Sequence, residues 1–154
     1  MLPRSEEAEI YVLSHLIQSP EAYDKLSSYL FEDVFYDNKN KKLFKLIKYM
    51  ISENETLDKV TVCGRLSEDD KNYGLDAHFV MGLPYDSITS YSGESYAKQV
   101  YQKYLLRSVI LKTSSITDAA YKNNSSVYNL LDEANTEITK LIEIRPNISF
   151  SMAN

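Results

Sequence analysis

The sequence predicts an all-α protein: a small multi-helix globule followed by a protruding antiparallel helical hairpin. Three observations carry that expectation. Glycine and proline occur only four times each, too rarely for a turn-rich sandwich. Apolar residues recur at spacings of three and four, the period of an amphipathic helix. From about Ser92 to Tyr121 nothing interrupts a helix, and ~29 residues at 1.5 Å rise would make a rod of roughly 43 Å. Such a rod projects beyond a small globule. The expected divisions are a globular subdomain over 1–91, a hairpin over 92–146, and a tail or linker start over 147–154.

The elements follow in order. Ser5 is a fitting N-cap for a first helix, with Glu6 and Glu7 placed well against its dipole. Ala8, Val12 and Leu16 share one face of it, widened by Leu13 and Ile17. "SPEA" at 19–22 offers a second start, with Ser19 as cap and Pro20 in the first helical position, for a short helix ending near Leu30. In "LFEDVFYDNKNKKLFKLIKYM" an acidic and aromatic corner leads into a third helix, with Leu43, Phe44, Ile47, Met50 and Ile51 on one side and Lys41, Lys45 and Lys48 opposite. "LDKVTVCGRL" has β-branched residues, yet Asp58 caps a short helix there because no partner strand is evident. "SEDDKNYG" is expected as a polar loop, "DAHFVMGL" as a helix, and "PYDSITSYSG" as a connection. After the long helix "KNNSS" makes a loop, and Leu131, Ala134, Ile138, Leu141 and Ile142 trace a heptad seam up to Arg145, where Pro146 stops the helix. The long helix carries apolar residues on more than one face, a surplus that suggests a second chain as cover.

Composition bounds the function. At 154 residues the chain can bury a core without staples. A formal charge of -5 disfavours binding of a phosphate backbone by the fold as a whole. The single cysteine, Cys63, and the absence of a signal-like start point to an intracellular, cytoplasmic protein, and no apolar run approaches the ~20 residues of a membrane span.

Catalytic motifs fail on spacing. No G-x-x-x-x-G-K-[ST] or G-x-G-x-x-G occurs. "GESYA" at 93–97 lacks the second glycine of a nucleophile elbow and opens a helix, so Ser95 is expected to be exposed. His15 and His78 stand alone, without metal-ligand spacing, and are expected to be partly buried and hydrogen-bonded. "DNKNKK" has lysine where a calcium loop needs oxygen. Glu32, Asp33 and Asp37 are expected to cap helix starts or face water, while Phe31, Phe35 and Tyr36 plug the core. The lysine face of the third helix is expected to be solvated. Tyr85, Tyr91, Tyr96, Tyr101 and Tyr104 crowd into twenty residues; they could stack on single-stranded bases, but an interface suits an acidic chain better.

"SEEAEIYVLSHLIQSPEAYDKL", "LFEDVFYDNKNKKLFKLIKYM", "LDKVTV", "SYAKQVYQKYLLRSVI" and "LLDEANTEI" resemble, in order and spacing, the N-terminal domain of DnaB-type replicative DNA helicases. The usual pattern there is S-x-E-A-E, P-E-D-F-Y, V-D-x-V-T-V, Y-A-x-x-V-x-x-x-x-x-x-R and L-L-D-x-A-E. The likeness spans about 5–142. It departs at Asn40 and Lys41, where the family has histidine and arginine, and at "YGLDAHFVMGL", where Gly74 has moved and Phe79 replaces the usual tyrosine.

The resemblance implies a collar domain without catalysis of its own. Its partners would be further copies of itself (a dimer, or a trimer of dimers in the full helicase), the C-terminal domain of primase and, as a further candidate, a helicase loader. DNA would be engaged only through the full assembly, with no membrane involved. No catalytic, cofactor or metal residue is implied in this chain; ATP and Mg are expected only for a RecA-like motor domain of the parent protein, an ATP-dependent DNA helicase. Tyr101, Tyr104, Leu106, Ile110 and Ile116 are expected to mediate self-association or docking, with Leu131, Ala134, Ile138 and Leu141 closing the hairpin and Phe79 on the partner surface. Two alternatives stay open: the helicase-binding C-terminal domain of a primase, and a single-stranded nucleic-acid-binding module.

Overall fold

Most helix starts are set by a polar side chain that accepts from a free backbone N–H. The computed structural model describes residues 1–84, 88–124 and 126–143. Ser5 caps α1 (Glu6–Gln18) by accepting from Ala8 N at 3.2 Å. Asp37 caps α3 (Asn38–Ser52), Asp58 caps α4 (Lys59–Gly64), and Asp76 caps α6 (Ala77–Met81). At α4 the cap is reciprocal, since Thr61 Oγ1 accepts from Asp58 N while Asp58 Oδ1 accepts from Thr61 N. That box fixes the β-branched segment as helix. α7 (Ser90–Lys122) and α8 (Val127–Glu143) complete the order. No strand occurs among the described residues, and no helix there is long and apolar enough to cross a membrane. Tyr85, the stop at Arg145 and Pro146, and the tail over 147–154 lie outside the described residues.

Several elements differ from expectation. Ser19 closes α1 instead of opening the next helix: its own N–H bonds His15 O at 2.8 Å, and its carbonyl accepts from Ala22 N in a tight turn. α2 (Ala22–Leu26) therefore starts after Pro20 and ends before Leu30. The expected loop "SEDDKNYG" contains α5 (Glu68–Asn72), nucleated by a capping box between Ser67 and Asp70. Gly74, at φ 87°, ends it, and Leu75 N reaches back to Asp70 O at 3.0 Å while its side chain is buried.

The chain forms two compact units, one over Arg4–Gln102 and one of Met1–Pro3 with the residues from Lys103 onward. In the first unit, Val12, Leu13 and Leu16 of α1 and Leu43, Phe44 and Ile47 of α3 are fully buried. α1 packs on α3, and α4 on α6. Phe35 packs on Phe44 with its ring tilted, 5.1 Å between centres, but Tyr36 is exposed, with the Arg4 guanidinium over its ring.

Three buried polar groups distinguish this unit, and two of them tie its elements together by hydrogen bonds. Glu9 accepts from Tyr36 N at 2.9 Å and from Asn40 Nδ2 at 3.0 Å, so it pins the corner before α3 to α1. Lys59 Nζ donates to Leu83 O (2.6 Å) and Met81 O (3.2 Å), satisfying carbonyls at the end of α6. Burial lowers the pKa of that lysine. His15 is buried against Gly93 of α7, and its Nδ1 has no hydrogen-bond partner. The expected hydrogen-bonded histidine is thus a packed one.

Burial lowers the pKa of His15 below the usual 6.5, and the charge of Glu21 opposes the shift in part. The unfolded chain then binds the extra proton first, so stability rises with pH. This contribution is complete above an ordinary imidazole value of ~6.5 and is lost as pH falls through the folded value. Urea titrations at a series of pH values should show the wild type losing more stability below neutrality than His15→Gln; equal pH dependence would contradict it.

Candidate docking surface on the helical hairpin

The hairpin unit takes its form from the second part of α7 and from α8. Asn123, at φ 51°, ends α7 through a bond from its N–H to Ala119 O at 3.1 Å, a left-handed position that asparagine tolerates well. α8 then runs back antiparallel. Lys112 pairs with Glu137, and Leu111, Ser115, Ile116, Ala119, Leu130 and Glu133 line the groove between the helices with that pair. The Lys112 ammonium also holds the Glu137 carboxyl below its usual pKa. Arg107 is buried and donates to Pro3 O at 3.0 Å.

This pairing decides which apolar residues stay outside. On α7, Val109, three residues before Lys112 and seven before Ile116, is exposed on their side of the helix, whereas Leu106 (49% exposed) and Ile110 (40%) lie on the side away from them. Thr113 and Thr117 continue that side, and their hydroxyls donate to the carbonyls of Val109 (2.7 Å) and Thr113 (2.8 Å). Their polar atoms are therefore satisfied within the helix. On α8, Val127, Leu131 (60%), Ile138 and Ile142 form a second exposed stripe.

The candidate residues divide accordingly. Leu106 and Ile110 are exposed; Tyr104 is half-buried; Ile116 faces α8. Ala134 and Leu141 are half-buried on the side of α8 that carries Leu130 and Glu137, whereas Leu131 and Ile138 point outward and do not close the hairpin. The reason is register: contact with α7 runs through Leu130, Glu133 and Glu137, which turns the expected seam partly to solvent. Tyr101 is only 4% exposed and belongs to the first unit, edge-on to Tyr29 at 5.9 Å and Phe31 at 6.4 Å. It is a core residue of that unit in this chain. Phe79 is half-buried beneath the Lys39 ammonium, 4.6 Å from its ring centre. Val109, Val127 and Tyr128 were not singled out from sequence; the four- and three-residue steps Val127, Leu131, Ala134, Ile138 carried that signal.

Catalytic chemistry finds little footing. No group of three or more His, Cys, Asp or Glu side chains among the described residues could hold a metal. Ser95 is exposed on α7, and burial pushes the Cys63 thiol pKa up, away from the reactive range.

A family model described as the DnaB-like helicase N-terminal domain matches residues 1–102. The chain belongs to this family. As a member of the DnaB-like N-terminal domain family it is 28% identical over 149 residues to the replicative DNA helicase DnaB of Geobacillus stearothermophilus, covering 96% of this chain and 33% of that protein. It is 24% identical over 142 residues to DnaB of Rhodothermus marinus (92% of this chain, 15% of that protein). The chain thus spans a third or less of these relatives. The N-terminal domain of DnaB helicase from Mycobacterium tuberculosis has the same fold, with a TM-score of 0.79 at 23% identity, over 91% of this chain and 99% of that one.

Within this family membership the recurring motifs acquire physical roles. Glu9 of "SEEAE" meets the backbone of Tyr36 and the amide of Asn40, so the first two motifs form one buried junction. "LDKVTV" is a capping box. In "YAKQV", Ala97 and Val100 are buried, and Tyr96 stacks on Tyr11 at 5.0 Å.

Proposed function

We propose that this chain is an assembly and docking domain of a replicative DNA helicase. Copies of the chain associate through the hairpin, and the primase C-terminal domain docks on the same unit. The observation that carries the proposal is the pair of exposed apolar stripes, Leu106 and Ile110 on α7 and Val127, Leu131, Ile138 and Ile142 on α8. Surfaces of this kind mark association sites. ATP hydrolysis with Mg belongs, in this reading, to the motor of a cytoplasmic parent helicase, and the collar supplies position. A helicase loader is a further candidate partner.

Two stripes allow two partners at once, one covering α7 and another α8. Calorimetric titration of the chain with the primase C-terminal domain from the same organism should give saturable binding. Leu131→Glu, at an exposed position, should weaken it by about tenfold or more. Absence of binding with an active primase domain would refute the docking role.

A further inference from the structure

We propose that the outer face of α3 is a binding track for single-stranded nucleic acid, a site separate from the hairpin. Five of the 17 basic residues of the chain lie on this helix, as Lys39, Lys41, Lys42, Lys45 and Lys48, and all 22 acidic residues lie elsewhere. Solubility of an acidic chain does not require such a segregation, and like charges three and four residues apart oppose one another.

The lysines are not equivalent. Lys42 bonds Asp69 at 2.8 Å and lies 4.6 Å from the centre of the Tyr73 ring, and Lys39 covers Phe79. Lys41, Lys45 and Lys48 make no ion pair among the described residues. At steps of four and three they form one ridge along ~10 Å of helix, the reach of a short stretch of phosphate backbone. Beside it, Asn38, Lys41, Lys42, Lys45, Tyr73 and Glu32 line an open hollow of about 270 Å³.

Three nearby acids are engaged, while Glu32 keeps a negative charge at the edge of the hollow. Asp69 is paired with Lys42, Glu68 lies 3.3 Å from Lys71, and Asp70 accepts from Ser67 N. The ridge itself carries three positive charges in no ion pair among the described residues, although the chain as a whole is acidic. Nucleic acid fits better than an acidic peptide because two tyrosines flank the ridge. Tyr73 (53% exposed) stands at its hollow, held in place by Lys42, and Tyr49 (50% exposed) lies on α3 one step beyond Lys48. Exposed aromatic rings beside lysines provide stacking platforms for bases, whereas a carboxylate-rich peptide makes no use of them.

The test is fluorescence anisotropy of a labelled oligo-dT with the 154-residue chain across a salt series. Saturable binding at low salt is expected. The triple variant Lys41→Ala, Lys45→Ala, Lys48→Ala should bind at least about tenfold more weakly, and its slope of log affinity against log salt should flatten by about 2, from ~0.7 per phosphate contact on single strands. Tyr73→Ala should weaken binding several-fold and leave the slope unchanged. A control triple variant, Lys71→Ala, Lys98→Ala, Lys140→Ala, removes the same charge elsewhere and should retain most affinity. The proposal fails if no saturable binding occurs, if the two triple variants behave alike, or if polyglutamate competes as well as unlabelled oligonucleotide, which would assign the ridge to an acidic protein.

Discussion

Ile110→Glu is expected to dissociate the protein into monomers while leaving its helicity intact. Ile110 is 40% exposed in the chain, so a glutamate there is hydrated in the monomer and suits a helix interior. In an assembly covering the α7 stripe the same carboxylate would be desolvated without a partner. An uncompensated buried charge costs on the order of 3–5 kcal/mol, which raises a dissociation constant by about 10² to several 10³-fold. In a two-fold symmetric contact the charge enters twice. Light scattering reads the mass and far-UV circular dichroism reads the helices; an unchanged oligomer would remove the α7 stripe from the contact.

Gly93→Ala is expected to destabilise the first unit, although alanine favours helices over glycine. A Cβ on Gly93 would lie 2.6 Å from His15 Nε2 and 3.0 Å from Cγ, far inside contact distance. The imidazole cannot swing aside, because His15 is only 2% exposed. The helix-propensity gain is at most ~1 kcal/mol in a helix interior and smaller in the first turn of α7, whereas overpacking costs about 1–3 kcal/mol or more. The clash should win, with a net loss of roughly 1–2 kcal/mol, or about 2–8 °C in Tm at this chain length. His15→Ala creates its own cavity, yet within that background Gly93→Ala should cost much less. Equal costs in the two backgrounds would show that the close approach is not the constraint.

Local signals were the legible ones. Ser5, Asp58 and Asp76 announce helices because a cap and the N–H it bonds are three residues apart. α5 escaped because its segment has no buried side chain, although Ser67 and Asp70 have the spacing of a capping box. Long-range partners were beyond reach. Glu9 looks like one more first-turn acid of α1, and only the arrival of Tyr36 and Asn40 makes it a buried anchor. Tyr101 looks like an interface tyrosine until Tyr29 and Phe31 close over it.

The hairpin teaches the same lesson in energetic terms. A heptad seam read from α8 assumes that its most apolar residues face α7. In the structure Glu137 faces Lys112 and Leu130 lines the groove, so Leu131 and Ile138 are left outward. The sequence therefore contains enough apolar surface for two contacts but does not say which residues serve which. That division is what turns an apparent packing seam into a docking stripe.

Sedimentation equilibrium of the unmodified 154-residue chain at tens of micromolar tests self-association most directly. A mass of twice 17.7 kDa or a higher multiple is the expected result. A single species of 17.7 kDa at every concentration would contradict it, because the exposed stripes of α7 and α8 would then lack the partner proposed to cover them.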